Sequence, residues 1–278
     1  MLELPQMEYD LATVVSNEDL GRAGCRIRTQ IKARASRLPN PGQFAMLRPE
    51  AGIEAMYLSR PISYLDAQIV DSETLELSFY IKVYGPGSAA LVNCRPGDRL
   101  IHLGPLGSGF PMDQENVWLV GGGVGIAPFY HLAHEIRRTA NSSVAIQLFY
   151  GGRSATDLPF LDDLNAVVDH IHTSTEDGTH GSDGLVTEPL KDQLKVHGSN
   201  GREFQIYTCG PTPMMKAVAL LAQSHNRECL VSLETRMACG YGVCLGCAIH
   251  HKDLGYIRGC VEGPVLNASK LDFSERWL

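Results

Sequence analysis

Residues 117–138 read VWLVGGGVGIAPFYHLAHEIRR, an apolar run followed by a glycine-rich loop and a helical pattern. Val117–Val120 is short and continuously apolar, as expected of a strand that is buried on both faces. Over 129–138, Leu132 and Ile136 recur on one side, as in a helix that packs against such a strand. The stretch therefore predicts a strand, a tight loop and a helix, the unit from which parallel α/β sheets are built.

The same rhythm extends over residues 113–228. Further strand runs lie at Val144–Tyr150 and Gln205–Cys209, and a second helix is predicted over Met214–Gln223. Strands that alternate with helices predict a parallel sheet with crossover connections. We therefore expect residues 113–228 to form an α/β domain.

The loop Gly121–Pro128 has the chemistry of a phosphate site. The first amides of a helix lack internal partners and its dipole favours negative charge, while glycines let a pyrophosphate approach the backbone. The spacing is not the full Gly-x-Gly-x-x-Gly, so a plain tight turn stays open. Cys209–Met214 repeats the arrangement after a later strand, where ligands of parallel sheets bind, although Cys209 alone is more commonly a small buried residue.

Residues 1–112 follow a different pattern. Leu75–Val83 alternates apolar and polar positions, and turn signals such as Pro39–Gly42 and Pro96–Asp98 separate short runs of this kind. No long helical pattern competes in this region. The pattern predicts a small antiparallel β-barrel.

Three segments of the barrel region carry groups that suit a bound nucleotide. Arg60–Ser63 combines a guanidinium, which suits a pyrophosphate, with a hydroxyl, which suits a flavin nitrogen. On its own, an exposed arginine is usually solvated. Gly85–Ser88 is a possible phosphate-facing turn, and the glycine-rich Gly104–Phe110 lies at the predicted domain junction.

Half of the eight cysteines form a cluster within the last 50 residues, 229–278. Cys25, Cys94, Cys209 and Cys229 are scattered, whereas Cys239, Cys244, Cys247 and Cys260 lie within 22 residues. A segment this short buries little core, so a metal would supply stability that packing does not. Clustered cysteines in a reducing compartment indicate metal binding rather than disulfides.

The cluster has the spacing Cys239-x4-Cys244-x2-Cys247-x12-Cys260, which matches the plant-type 2Fe–2S pattern. Two bridged irons need four thiolates, and Gly240, Gly242 and Gly246 would let the loop wrap closely. A structural zinc site is an alternative, but it usually shows two Cys-x2-Cys pairs. A further alternative is that the four cysteines are inert thiols that bind no metal. His250 and His251 are interpreted as surface residues, because four cysteines already suffice.

The bulk composition excludes some classes of function. With 278 residues, 44% hydrophobic and 20% charged, the chain can form two domains and a small third. A net charge of -7 argues against a nucleic-acid binder but not against a nucleotide ligand. Met1–Pro5 shows no secretory signal, and no apolar run reaches the roughly 20 residues of a membrane helix, so we expect a cytoplasmic protein.

In this order, these elements resemble the ferredoxin–NADP reductase superfamily, and within it the electron-transfer subunits of the NAD-dependent, two-component dihydroorotate dehydrogenases. The resemblance covers nearly the whole chain. It is most specific in SLETRMACGYGVCLGC at 232–247 and GCVEGPV at 259–265. It implies an FAD-binding barrel at 1–112, an NAD-binding domain at 113–228 and a 2Fe–2S domain at 229–278.

The resemblance also implies roles for individual residues. FAD would be held by nine residues: Arg60, Pro61, Ile62, Ser63, Ile81, Lys82, Val83, Gly87 and Ser88, the last replacing the family's more frequent threonine. NAD would be held by Gly122, Gly123, Gly125, Cys209 and Gly210. Ser63 and Cys209 would be the catalytic pair, beside the isoalloxazine and the nicotinamide. The metal ligands would be Cys239, Cys244, Cys247 and Cys260.

The function that this resemblance implies is electron transfer in pyrimidine biosynthesis. Electrons would pass from FMN in a dihydroorotate dehydrogenase catalytic subunit through the cluster and FAD to NAD, in a heterotetramer of two of each subunit. Arg153 would suit the 2′-phosphate of NADP, whereas Glu176 or Asp177 would suit the ribose hydroxyl of NAD; the resemblance favours NAD. Two alternatives are a ferredoxin- or sulfide-linked NAD(P)H oxidoreductase subunit and a zinc-stabilised nucleotide-binding module without redox activity.

Overall fold

The computed structural model describes residues 9–34, 38–51, 58–139, 143–197 and 203–273. Met1–Pro5, which we inspected for a secretory signal, lies outside these ranges. No helix within the described ranges is both long and apolar enough to cross a bilayer.

The first part of the chain forms the predicted β-barrel. Its six strands are Tyr9–Asp19 (β1), Cys25–Lys32 (β2), Phe44–Pro49 (β3), Arg60–Ile69 (β4), Thr74–Ile81 (β5) and Arg99–Leu106 (β6). They close in the order β1-β2-β5-β4-β3-β6, with every pair antiparallel. The alternation that predicted the barrel is visible in β5, where Leu75, Leu77 and Phe79 are buried in its interior.

A short helix, Pro86–Val92 (α1), lies between β5 and β6 and was not predicted. The sequence Gly85–Ser88 suggested only a turn, yet proline is compatible with the first turn of a helix, where its missing N–H is not needed. Leu91 of α1 is fully buried in the barrel core. Burial of this side chain therefore supports a helix that propensity alone did not indicate.

The middle of the chain forms the predicted α/β domain. Its strands are Asn116–Gly122 (β7), Ala145–Gly152 (β8), His170–Thr175 (β9), Ser182–Asp183 (β10), Gln205–Cys209 (β11) and Cys229–Ser232 (β12). Its helices are Ala127–Arg138 (α2), Leu161–Asn165 (α3), Thr187–His197 (α4) and Thr212–Ser224 (α5). The strands pair in parallel in the order β10-β9-β8-β7-β11-β12, so the direction of winding reverses between β7 and β11.

The two predicted helices of this domain are confirmed, and each begins about two residues earlier than expected. Pro128 and Pro213 lie in their first turns, where a missing N–H breaks no helical hydrogen bond. The helix α4 was not predicted. Of its apolar side chains only Leu190 and Leu194 are buried, which makes the helical periodicity of the sequence weak.

The C-terminal segment combines a hairpin with a strand of the large sheet. Ala248–His251 (β13) and Gly255–Arg258 (β14) form the hairpin, and Val265–Asn267 (β15) pairs antiparallel with β12. Both β12 and β15 lie beyond residue 228 and belong to the seven-stranded sheet. The domain limits at residues 112 and 228 remain predictions.

The face where α2 packs against the barrel contains a buried histidine. His131 is 1% exposed, and its Nδ1 atom has no hydrogen-bond partner among the described residues. Burial lowers the pKa of His131 to about 4; Arg138 and His134 add to this effect, and Asp66 opposes it. Protonating the ring in place therefore costs stability.

We expect the folded state to lose stability in acid through His131. The unfolded chain protonates this ring near pH 6.5 and the folded chain only near 4, so between these values the unfolded state binds more protons and stability rises with pH. The loss from pH 6.5 to 4 amounts to at most about 3 kcal/mol. The free energy of unfolding, measured with urea at several pH values in this range, should vary less with pH in His131→Leu than in the parent. In the exposed-site control His170→Gln it should vary with pH as in the parent. Equal slopes in His131→Leu and parent would contradict this origin.

Candidate functional site

The four clustered cysteines are paired two and two. The sulfurs of Cys247 and Cys260 are 3.2 Å apart and both residues are 2% exposed. Cys239 forms a side-chain hydrogen bond with Cys244, which lies at the surface. The structure thus gives a buried pair and an outer pair on one loop.

Backbone amides surround these sulfurs and favour thiolates. Burial alone would raise the pKa of Cys239, but hydrogen bonds from the backbone of Cys244 and Tyr241 outweigh it and lower the pKa to about 7. In the buried pair, the shared hydrogen bond lowers the pKa of Cys247 and raises that of Cys260, so one sulfur of the pair is favoured as a thiolate and the other as its thiol donor. Thiolates, not thiols, bind metals, so Cys239 and Cys247 are the two sulfurs that the loop already favours in the metal-binding form.

Glycines hold the cysteine loop tightly against the barrel. Gly240 has φ 82, and a Cβ there would lie 2.4 Å from Cγ of Met46 in β3. Gly242 has φ 85, and a Cβ there would lie 2.6 Å from Val261. Cys247 and Cys260 share one apolar cluster with barrel residues Phe44, Met46 and Leu106. The cysteines therefore lie directly on the outside of the barrel wall.

The donor set fits a 2Fe–2S cluster. Within the described ranges, no three cysteine, histidine, aspartate or glutamate side chains converge as ligands of a single ion. The four sulfurs are instead arranged in two pairs, and a 2Fe–2S cluster takes two thiolates on each iron. His250 and His251 lie half buried on β13, where His251 Nδ1 accepts N–H groups of Asp253 and Leu254, rather than facing the cysteines.

The predicted flavin segments lie together on β4, the end of β5 and α1. The guanidinium of Arg60 crosses Gly87 so closely that a Cβ on Gly87 would lie 2.2 Å from Nε. Ser63 pairs with Phe44 of β3, and its hydroxyl forms no hydrogen bond with any described residue. The guanidinium of Arg60 and the hydroxyl of Ser63 are therefore both positioned to contact a ligand bound on the outer side of β4.

The remaining predicted FAD residues extend this surface. Pro61 and Ile62 are half buried and pair with Met46 and Ala45. The segment after β5 runs outward from buried Ile81 through half-buried Lys82 to exposed Val83. The hydroxyl of Ser88 accepts N–H groups of Tyr84 and Gly85 and donates to the Gly85 carbonyl, so its bonding in the structure is local.

The glycine-rich loop after β7 lies where the sheet reverses its winding. A Cβ on Gly125 would lie 2.2 Å from the carbonyl oxygen of Cys209 at the end of β11, and one on Gly122 would lie 2.7 Å from Sδ of Met214. Gly123 has φ 56, and a Cβ there would meet no heavy atom within 4 Å. The loop and the end of β11 thus form the crevice in which ligands of such sheets bind.

Glu234, which the sequence did not single out, lies close enough to both Cys209 and Tyr84 to shift their pKa values. Burial raises the pKa of Cys209 to about 12; Ser232 opposes this shift and Glu234 adds to it. Surrounding protein atoms raise the pKa of the partly exposed Glu234 carboxyl. Tyr84, 74% exposed, has its pKa raised by desolvation and then by Glu234. Glu234 follows the strand β12, so the rule for carboxyl ends could have found it; Tyr84 had no such signal.

An ion pair joins the flavin and dinucleotide segments. Lys82 Nζ lies 2.6 Å from Asp157 Oδ1, in the turn after β8. Asp177, a predicted ribose ligand, already accepts the N–H and hydroxyl of Thr179, whereas Arg153 and Glu176 are exposed. Among the three residues predicted to meet the ribose, Arg153 and Glu176 are therefore more accessible to a cofactor than Asp177. Which of them would distinguish NAD from NADP remains a prediction.

The Gly104–Phe110 junction is filled by the chain itself. A Cβ on Gly107 would lie 2.6 Å from Pro264, and the Ser108 N–H donates to the Gly263 carbonyl at 2.6 Å. The junction therefore anchors the cysteine segment to the barrel.

Two protein-family models match the chain. Residues 119–220 match the oxidoreductase NAD-binding domain. Residues 234–272 match the iron–sulfur cluster binding domain of dihydroorotate dehydrogenase B, which contains all four cysteines and decides against the zinc alternative.

Curated relatives and solved structures extend the likeness over most of the chain. The electron transfer subunit of dihydroorotate dehydrogenase B (NAD(+)) from Shouchella clausii is 34% identical over 82% of this chain and 85% of its own length. The homologue from Aquifex aeolicus is 33% identical over 92% and 95%. A chain of the NADH-dependent reduced ferredoxin-NADP oxidoreductase aligns with a TM-score of 0.78, 25% identity and coverage of 95% and 91%. A ferredoxin NADP+ reductase from Neisseria gonorrhoeae with bound FAD and NADP shares the fold, with a TM-score of 0.60, 20% identity and coverage of 78% and 91%.

Proposed function

Because the chain belongs to the family of dihydroorotate dehydrogenase B electron transfer subunits, we propose that it carries electrons from a catalytic subunit to NAD+ in pyrimidine biosynthesis. It is an oxidoreductase subunit with FAD, a 2Fe–2S cluster and NAD as its cofactors. Dihydroorotate itself would be oxidised on the partner.

The observation that carries the proposal is the position of the cysteines on the barrel wall. Cys247 and Cys260 pack on β3 residues Phe44 and Met46, and Phe44 is the direct strand partner of Ser63. Residues opposite each other in antiparallel strands point to the same face, so the Ser63 side chain and the cysteines lie on the same outer face of the barrel, one strand apart. Single electrons need such short separations, and this barrel provides one within a single chain.

We propose the following residue roles. The cluster would be held by Cys239, Cys244, Cys247 and Cys260. Flavin would be held by Arg60, Pro61, Ile62, Ser63, Ile81, Lys82, Val83, Gly87 and Ser88, with Arg60 at the pyrophosphate. The dinucleotide would be held by Gly122, Gly123, Gly125, Cys209 and Gly210. When bound, a flavin exchanges single electrons with an iron–sulfur cluster and a hydride with a nicotinamide.

The chain's own residues would orient and enclose these groups. The free hydroxyl of Ser63 would hydrogen-bond the flavin ring, and Cys209 would pack beside the nicotinamide as a neutral thiol, since its pKa is raised to about 12. The Lys82–Asp157 pair would hold the two binding segments together at the mouth of the crevice.

The partner would be an FMN-containing catalytic subunit. Exposed apolar side chains flank the outer cysteine Cys244 in sequence, since Val243 and Leu245 are each 62% exposed, and Tyr256 of the C-terminal hairpin is 72% exposed. An apolar rim of this kind suits a protein interface. The family resemblance supports a heterotetramer of two of each subunit. None of the eight cysteines, which all lie in the described ranges, is in a disulfide, as expected for the cytoplasmic location that we propose.

A second candidate function is NAD(P)H–ferredoxin oxidoreduction. It is favoured by the solved-structure match that spans nearly the whole chain. The higher identity to the dihydroorotate dehydrogenase B subunits favours the first proposal.

The experiment that separates these functions is co-purification from the native host, followed by assays with defined electron donors. We expect an FMN-containing subunit to co-purify and the complex to reduce NAD+ with dihydroorotate. Reduction of NAD(P)+ by reduced ferredoxin, without any response to dihydroorotate, would replace the first function by the second.

We expect Ser63→Ala to slow hydride transfer more than it weakens FAD binding. Loss of one hydrogen bond to the flavin ring costs about 1.4 kcal/mol, or roughly tenfold in rate. Stopped-flow reduction of the bound flavin by NADH measures this effect, and the ratio of absorbance at 450 nm to protein measures FAD retention. Unchanged reduction rates at full FAD content would exclude this role for Ser63.

A further inference from the structure

An ion pair on the C-terminal hairpin lies beside the buried cysteine pair. Arg258, the last residue of β14, binds Glu262 through its Nη2 atom and through Nε at 3.2 Å. The side chains are only 18% and 33% exposed. Cys260 lies between the two residues in sequence and is 2% exposed. Two opposite charges are therefore fixed next to one end of the predicted cluster.

The positive end of this pair faces the cysteine loop. A Cβ on Gly242, between Cys239 and Cys244, would lie 3.0 Å from Nη1 of Arg258. The Glu262 carboxylate is held back at the end of the strand, where it accepts the backbone N–H of Arg258 at 2.7 Å. The guanidinium is thus in contact with the loop, and the carboxylate lies behind it.

Reduction of a 2Fe–2S cluster adds one negative charge to a site that already holds thiolates. A fixed cation nearby stabilises the reduced form and raises the reduction potential, and an anion does the opposite. Around Cys247 and Cys260 the apolar barrel residues keep the effective dielectric constant low, so solvent screens these charges weakly.

We propose that Arg258 and Glu262 are a positioning pair that sets the reduction potential of the cluster, with Arg258 raising it and Glu262 moderating that effect. The inference rests on the proposed function, because it requires the cluster. It assigns the two residues a role in matching the potential of the cluster to that of the flavin, which would bind on the same outer face of the barrel.

The test is an EPR-monitored redox titration of the isolated, FAD-loaded subunit. Arg258→Gln, which keeps a hydrogen-bonding group but removes the charge, should have a more negative midpoint potential than the parent. Glu262→Gln should have a more positive one, the double variant should return toward the parent, and Arg258→Lys should stay near it. Lys270→Gln is the matched control, since Lys270 pairs with Asp253 at the opposite, turn end of the hairpin, and it should cause no shift.

Opposite shifts distinguish an electrostatic role from a structural one. Shifts of the same sign in both glutamine variants, or unmoved potentials with full iron content, would overturn the proposal. If Arg258→Gln binds no iron, the sign of the Glu262→Gln shift decides: a positive shift supports the proposal, and none or a negative one overturns it. A parent protein without any cluster signal would refute the proposed function itself.

Discussion

Cys244→Ser is expected to lose its iron and to keep FAD. Cys244 is the exposed member of the outer cysteine pair, and its partner Cys239 alone cannot complete the two thiolates that one iron needs. A serine hydroxyl has too high a pKa to replace the thiolate at neutral pH. FAD binding would depend on β4, the end of β5 and α1, none of which contains a cluster cysteine, so the yellow flavin absorbance should remain.

Three measurements define this result. Iron analysis should fall from about two per chain to near zero, and electron transfer from the partner should be lost. NADH-dependent reduction of a two-electron dye should continue, because it needs only the flavin. The control is Cys94→Ser, a buried cysteine of the barrel, which should retain full iron. A normal 2Fe–2S signal in Cys244→Ser would refute the ligand assignment.

Gly125→Ala is expected to weaken NADH binding and NADH-dependent activity strongly while leaving the cluster intact. The new Cβ would lie 2.2 Å from the Cys209 carbonyl oxygen, a backbone atom that cannot rotate away. Either the loop or the end of β11 must shift, and both belong to the crevice proposed for the dinucleotide. We expect a stability loss of about 2–4 kcal/mol and NADH binding weaker by at least roughly tenfold.

Gly21→Asn is the matched control, because Gly21 lies outside the proposed sites. Gly21 has φ 62, a Cβ there would meet no heavy atom within 4 Å, and asparagine tolerates this conformation best among residues with a side chain. It should bind NADH as the parent does. Titration of each protein with NADH, together with iron and FAD analysis, separates a local effect from unfolding. NADH affinity in Gly125→Ala equal to that of the parent would contradict the assignment of the crevice.

The parts of the fold that the sequence predicts are those with strong periodic patterns. The alternation in β5 and the apolar run of β7 each match a single type of secondary structure, so barrel and parallel sheet follow from them. The helix α4 was not predicted, because only its apolar residues Leu190 and Leu194 are buried and its sequence therefore shows little helical periodicity. The strand β15 was not predicted, because a strand of three residues is too short to show an alternating pattern. Its pairing with β12 determines its position.

The candidate site likewise has features that the sequence predicts and features that it does not. The spacing of the four cysteines predicts their chemistry, because the ligand loop is local in sequence. The Lys82–Asp157 pair and the approach of Glu234 to Cys209 join residues far apart in sequence. The packing of the barrel against the sheet brings Lys82 to Asp157, and residue patterns carry no signal for that contact. The pairing of β11 with β12 brings Glu234 near Cys209, and only the rule for carboxyl ends of parallel strands could have indicated it.

The central claim is that one chain holds a flavin and a pair of irons close together on the outer face of one barrel wall. The most direct measurement is iron, sulfide and FAD analysis of anaerobically purified protein, combined with EPR after reduction by NADH. We predict about two irons and one FAD per chain and a 2Fe–2S signal that NADH generates. A folded, FAD-containing protein with no iron after expression in ample iron, or with a single zinc, would contradict the account.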